Sequence, residues 1–166
     1  MAEKYGCKVR LRVSVAIVKM CPQRNWGLNS MHYQKTLAVH TVGKSLQRIT
    51  SKVAAIVSES GVQTGLCTIF LRHTSASLVI QENADPRVLE DLEDFLRRLV
   101  PENYPYVHDD EGADDMPAHI RTALTHTSET IPIANGRLVL GTWQGIYVWE
   151  HRQRRHHREI VVHISG

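Results

Sequence analysis

The segment from Tyr106 to Arg121, YVHDDEGADDMPAHIR, concentrates the chemistry this chain could perform. Five carboxylates (Asp109, Asp110, Glu111, Asp114, Asp115) lie between His108 and His119, although the whole chain carries a net charge of +3. Carboxylates and imidazoles this dense repel one another unless a positive centre sits among them, which means a metal ion or an arginine cluster. The second half has the chemistry of a helix start. An aspartate ahead of Met116 and Pro117 supplies an N-cap and an early proline, and Ile120, Ala123 and Leu124 follow at helical spacing. One turn then separates Asp115 from His119, so both can reach the same ion or substrate. A solvated acidic loop ahead of a capped helix would use the same residue types.

Four other places carry reactive groups. His73-Thr74-Ser75-Ala76-Ser77 sets an imidazole and three hydroxyls after an apolar run, as a binding turn or as a turn whose hydroxyls satisfy backbone groups. In Gln81-Glu82-Asn83-Ala84-Asp85, Asp85 suits a helix N-cap, while Glu82 and Asn83 have no such obvious duty. Gly141-Thr142-Trp143-Gln144-Gly145 could bring backbone amides to an anion or lay an indole over a flat ring, and a bulged strand pair explains it equally well. Glu150-His151-Arg152 joins an acid, an imidazole and a guanidinium. The run HRQRRHHR that overlaps it holds four arginines, which suit an exposed hairpin loop or a phosphate.

The elements that must position these groups follow from periodicity. A chain of 166 residues with 42% apolar content can bury one real core, and no linker or repeat marks a second domain. Residues Val9 to Ile17 alternate apolar and basic or polar side chains, the period of a strand, and a loop follows from Cys21 to Ser30. Strands are expected at Lys35 to Val42 and at Gly65 to Arg72, with a short helix between them capped by Thr50 or Ser51 and ended by Gly61. Asp85-Pro86 opens the clearest helix, with Leu89, Leu92, Phe95, Leu96 and Leu99 on one stripe and Pro101 beyond its end. Asn135-Gly136 between Ile131 to Ala134 and Arg137 to Leu140 is a strong hairpin signal. Ile146 to Trp149 and Ile160 to Ile164 are expected to pair as the last two strands. Strands that do not alternate regularly with helices predict an α+β fold, a mixed or antiparallel sheet core with a few packed helices.

Bulk properties exclude several classes. The modest charge lacks the basic stripe of a nucleic-acid binder, and no apolar run is long enough to cross a membrane. Cys7, Cys21 and Cys67 form no CxxC pair and are odd in number, so a disulfide framework is not expected. No secretory signal is visible, and a reducing cytoplasm is the default.

Tyr33-Gln34-Lys35-Thr36, His73-Thr74-Ser75-Ala76-Ser77, Glu82-Asn83-Ala84-Asp85-Pro86, the stretch from His108 to His119, Gly141-Thr142-Trp143-Gln144-Gly145-Ile146 and Glu150-His151-Arg152 together resemble the YjbQ family, described as secondary thiamine-phosphate synthase enzymes. The spacing of Ser128, Ile131, Ile133, Gly136, Gly141-Thr142-Trp143-Gln144 and Ile146 is similar to that family's signature. The resemblance covers residues 31–166 as one YjbQ-like domain. Residues 1–30 stand apart as an N-terminal extension, read as an extra strand and loop, with Met31 as the alternative start.

What the resemblance implies is an α+β subunit assembled as a homotrimer, cytoplasmic, with a weak capacity to join the pyrimidine and thiazole halves of thiamine phosphate. Such a reaction expels pyrophosphate, so phosphate charge must be neutralised, and carboxylates do this only through a divalent cation. Asp114 and Asp115 are then expected to hold the ion. His108 and His119 either complete its shell or carry protons, Glu150 is a further ligand, and His73, counted among the catalytic residues, grips phosphate oxygens with Ser75 and Arg152. Thr74, Ser75, Asn83, Thr142, Trp143, Gln144 and Arg152 are expected to line the phosphorylated substrate. Oxygen ligands favour magnesium and imidazoles favour zinc, and the residue types leave both open. Two other functions fit the same residues: a trimeric module that binds a phosphorylated metabolite without turnover, and a metal-dependent phosphohydrolase.

Overall fold

The computed structural model describes residues 31–166, so the alternating stretch from Val9 to Ile17 and the loop after it lie outside the described residues. Described elements run β1 (His32–Thr41), β2 (Ser45–Arg48), α1 (Thr50–Ser60), β3 (Thr64–Leu71), β4 (Ala76–Glu82), α2 (Pro86–Leu99), α3 (Asp115–Leu124), β5 (Ser128–Ala134), β6 (Arg137–Leu138), β7 (Gln144–Glu150) and β8 (His156–Ser165). They build two antiparallel sheets, one ordered β1-β8-β3-β5-β6 and the other β2-β7-β4. The architecture is the α+β class that the element pattern predicts.

One core joins both sheets. Strands β3, β5 and β8 alternate, so Cys67, Ile69, Ile131, Ile133, Ile160, Val162 and Ile164 point inward. Val53, Ile56 and Val57 of α1 meet them at helical spacing, and Leu78, Ile146 and Val148 close the core from the second sheet. Burying such side chains is worth roughly 1.5–3 kcal/mol each before chain entropy is subtracted.

Several local signals act as expected. Asp85 accepts the Arg87 amide at 3.0 Å as the cap of α2, with Pro86 in its first turn. Asn135 and Gly136 both have positive φ, 52° and 69°, as a two-residue hairpin turn with the sheet's twist requires. Gly61 ends α1 in the left-handed region at φ 72°.

Five expectations are corrected. β7 and β8 do not pair: β7 lies between β2 and β4, and β8 between β1 and β3. The reason is that β7 is buried on both faces from Gly145 to Glu150, so it is a central strand needing two flanking partners of its own. Residues 151–155 instead carry the chain from one sheet to the other, and the basic run is no simple exposed loop, because His151, Arg152 and Arg158 are buried. The helix α1 has Ile49 at its cap with no side-chain bond, since the Thr50 hydroxyl accepts the Ile146 amide at 2.8 Å. Helix α3 starts at Asp115 behind Asp114, which makes no side-chain cap bond. The α2 stripe exists, but only Leu96 of it is buried; Phe95 and Leu99 are 57% and 55% exposed.

Candidate metal centre

Asp115 opens α3 and is 2% exposed, an unusual depth for a carboxylate in a helix's first turn. Its Oδ2 lies 2.7 Å from His108 Nε2, which the loop after α2 delivers, and 3.4 Å from Nε2 of His119, one helical turn on. The three ligand atoms fall within 4.8 Å of one another. His119 Nδ1 donates to the Thr74 carbonyl at 3.0 Å. A carbonyl can only accept, so this bond fixes the tautomer and turns the Nε2 lone pair toward Asp115, the outer support that metal-bound histidines use. The donor set of two imidazoles and one carboxylate suits a divalent ion.

Arg152, which follows β7, braces the carboxylates from behind. It pairs with Asp115 Oδ1, bonds Asp114 Oδ2 through Nε at 3.1 Å, and bonds Glu111 O through Nη2 at 2.8 Å. Gln153 N also donates to Asp114 Oδ2, at 2.8 Å. Burial alone pushes the Asp114 carboxyl up, but the Gln153 amide and the Arg152 guanidinium outweigh it and hold it below its ordinary value. A single arginine, Arg152, and the candidate cation site therefore lie against different oxygens of one acidic residue, Asp115.

Behind Arg152 a second ion pair completes the support. Glu150 is fully buried and accepts Arg158 Nη2 and Nε at 2.6 and 2.7 Å, the Thr41 hydroxyl at 2.7 Å and the Arg152 amide at 2.9 Å. Burial raises its pKa, and these donors, led by Arg158, bring it below the usual carboxylate range. Arg158 also donates to Ser75 Oγ at 3.2 Å, in the turn whose Thr74 holds His119. Polar contacts thus form a closed circuit from Asp115 through Arg152, Glu150, Arg158 and the Ser75-Thr74 turn back to His119.

The remaining expected site residues divide in two. His73 stands beside that circuit, but its Nε2 accepts the Glu159 amide at 2.9 Å, and burial first and Arg158 second lower its pKa. Glu150 contributes no atom to the ligand cluster. Asn83, Thr142, Trp143 and Gln144 gather elsewhere. Asn83 Nδ2 donates to the carbonyls of Thr142 and Gln144 at 3.2 and 3.0 Å, stapling the tryptophan turn, and Trp143 is 63% exposed. In the β4–β7 ladder Ala76 faces Glu150 while Glu82 faces Gln144, so this turn sits at the far end of the strands from Thr74 and Arg152. Six residues of strand place it on the order of 20 Å away within one chain.

Sequence reasoning passed over Thr41 and Arg121, named Ser77 only as one hydroxyl of the His73–Ser77 turn, and took Arg158 only as part of the basic run. Arg158 was legible: it falls on the inward phase of β8 with Ile160 and Val162, and a buried arginine demands an acid. Ser77 Oγ lies 2.9 Å from Nε2 of His151, whose pKa burial lowers to about 3, with Arg121 adding to the shift. A cavity of about 580 Å³ lined by Tyr104, Pro105, Tyr106, Val107, His108 and Met116 shares His108 with the ligand cluster.

Comparison with known proteins places this chain among relatives. The model of the family described as UPF0047 protein YjbQ-like matches residues 35–166. A UPF0047 protein of Synechocystis is 64% identical over 135 residues, 81% of this chain and 92% of that protein. YjbQ of Escherichia coli O157:H7 is 42% identical over 137 residues, 82% of this chain and 99% of that protein. Among solved structures, a YbjQ-like protein of unknown function from Sulfolobus solfataricus superposes with a TM-score of 0.77 at 29% identity, covering 82% of this chain and 99% of its own. A YjbQ/UPF0047 protein from Clostridium acetobutylicum gives a TM-score of 0.71 at 38% identity, covering 80% of this chain and 98% of its own.

Proposed function

Since the chain belongs to the YjbQ-like UPF0047 family, we propose that it is a metal-assisted enzyme acting on a small phosphorylated substrate, with the joining of pyrimidine diphosphate and thiazole phosphate as its reaction. The observation that carries the proposal is the convergence of His108, Asp115 and His119 on a space small enough for one ion, with His119 oriented by Thr74. A divalent ion held there would supply charge to neutralise the phosphate oxygens and the departing pyrophosphate. The chain's own residues bind and orient. Arg152 and Asp114 keep Asp115 in place, Thr74 keeps His119 in place, and the cavity beside His108 offers aromatic walls, Tyr104 and Tyr106, to a flat ring. Trimer assembly belongs to the same proposal and is supported by apolar residues left at the surface, Phe95 and Leu99 on α2 and Leu66 and Phe70 on β3. No described helix is long and apolar enough to cross a membrane; a cytoplasmic setting is part of the proposal.

A second reading, a module that binds a phosphorylated metabolite without turning it over, is favoured by one observation. His73, Ser75 and Arg152, expected to grip phosphate, are engaged with Glu159, Arg158 and the two aspartates. The test is to supply both thiamine halves with a panel of divalent ions and follow thiamine phosphate and pyrophosphate. Both products, lost on chelation and in His119→Ala, support the synthase. Tight binding with no product leaves the module, and phosphate release from a single substrate indicates a hydrolase.

A further inference from the structure

Arg152 engages one carboxylate oxygen of each of the two aspartates at the start of α3. Its Nη1 occupies Asp115 Oδ1, and its Nε, together with the Gln153 amide, occupies Asp114 Oδ2 at 3.1 and 2.8 Å. Although Asp109, Asp110, Glu111, Asp114 and Asp115 follow one another closely, only Asp115 enters the ligand cluster. An ion there meets two imidazole nitrogens and a single carboxylate oxygen, Oδ2, whose charge is shared with a guanidinium. Magnesium sheds water reluctantly and asks for hard oxygen ligands, whereas zinc, cobalt and nickel bind imidazole well. Three protein ligands also leave a fourth position open, as in reactive rather than structural zinc sites.

Resting on the metal-centre reading above, we infer that Arg152 is a positioning residue that makes the centre selective for an imidazole-binding transition-metal dication over magnesium. By holding Asp114 aside and leaving Asp115 one oxygen to offer, it removes the second and third oxygens that magnesium would need. Lysine cannot replace it, because a single ammonium lacks the planar fork that spans two carboxylates and a carbonyl.

The experiment is calorimetric titration of the full chain, stripped with chelator, with zinc, cobalt and magnesium chlorides, for the parent protein and the variants His119→Ala, Arg152→Gln and Arg152→Lys. The parent is expected to bind one zinc or cobalt per chain at least about 100-fold more tightly than magnesium. Arg152→Gln, which frees Asp115 Oδ1 and leaves Asp114 Oδ2 to the Gln153 amide alone, should narrow that preference by about tenfold or more, with Arg152→Lys between. The cobalt protein should show the intense visible bands of four- or five-coordinate metal rather than the faint ones of an octahedral ion. Equal affinity for magnesium and zinc in the parent, or folded Arg152 variants with an unchanged ratio, overturns the inference. Should Arg152→Gln fail to fold, the ratio in Arg152→Lys decides: narrowed supports the inference and unchanged overturns it. Zinc binding undiminished in His119→Ala overturns the metal-centre reading itself.

Discussion

His119 is the residue of the candidate centre whose removal separates function from stability, and Asp115 is the one whose removal costs both. His119 is partly exposed and spends one ring nitrogen on a backbone carbonyl, so His119→Ala should change unfolding free energy by about 1 kcal/mol or less while lowering turnover at least about 100-fold. Asp115→Ala carries a second penalty, since it strips buried Arg152 of one partner; a loss of about 3–5 kcal/mol in urea unfolding is expected. Protons report the same buried groups. His151 is held at about 3 in the folded chain against an ordinary 6.5, so the unfolded chain binds the extra proton between those values. Stability is therefore complete above pH 6.5 and falls as pH drops, by about 1.4 kcal/mol per unit for one group. The lowered Asp114 and Glu150 act lower down, their contribution lost as pH falls through their depressed folded values. Urea midpoints across pH should show both limbs, and His151→Gln should shrink the upper one to the part contributed by the lowered His73 while leaving the lower one in place.

At the level of elements, what could be read from the chain is what local chemistry dictates. Asp85-Pro86 and Asn135-Gly136 declare themselves because cap and turn energies are set by the residues that make them. Asp85→Ala should cost about 1 kcal/mol in thermal unfolding, and Gly136→Ala a similar amount because φ there is 69°. Pairing of β7 and β8 was misread because an unbroken apolar run such as Ile146 to Trp149 says that a strand is buried, not which strands flank it. The candidate centre shows the same division. Asp115 and His119 were legible through one helical turn and His108 through its acidic surroundings. Arg152 was legible as a charge and not as a brace, since its partners are 37 and 38 residues away in sequence, at Asp115 and Asp114. Spatial separation of the tryptophan turn from the His-Thr-Ser turn follows from strand direction, which no motif records.

For the molecule as a whole, the apolar residues that α2 and β3 leave at the surface predict association. Phe95→Asp combined with Leu99→Asp should convert the trimer of the proposal to a monomer in sedimentation, with near-ultraviolet dichroism from the buried Trp149 retained. Several supports of the candidate centre also cross long stretches of chain. Thr41 meets Glu150, 109 residues away, Ser75 meets Arg158 across 83, and Thr74 meets His119 across 45. Loops of that length close late in folding. An ion therefore has no organised pocket to nucleate upon in the nascent chain: zinc added at the start of refolding should leave the folding rate unchanged, and its capture should trail the recovery of β-sheet dichroism.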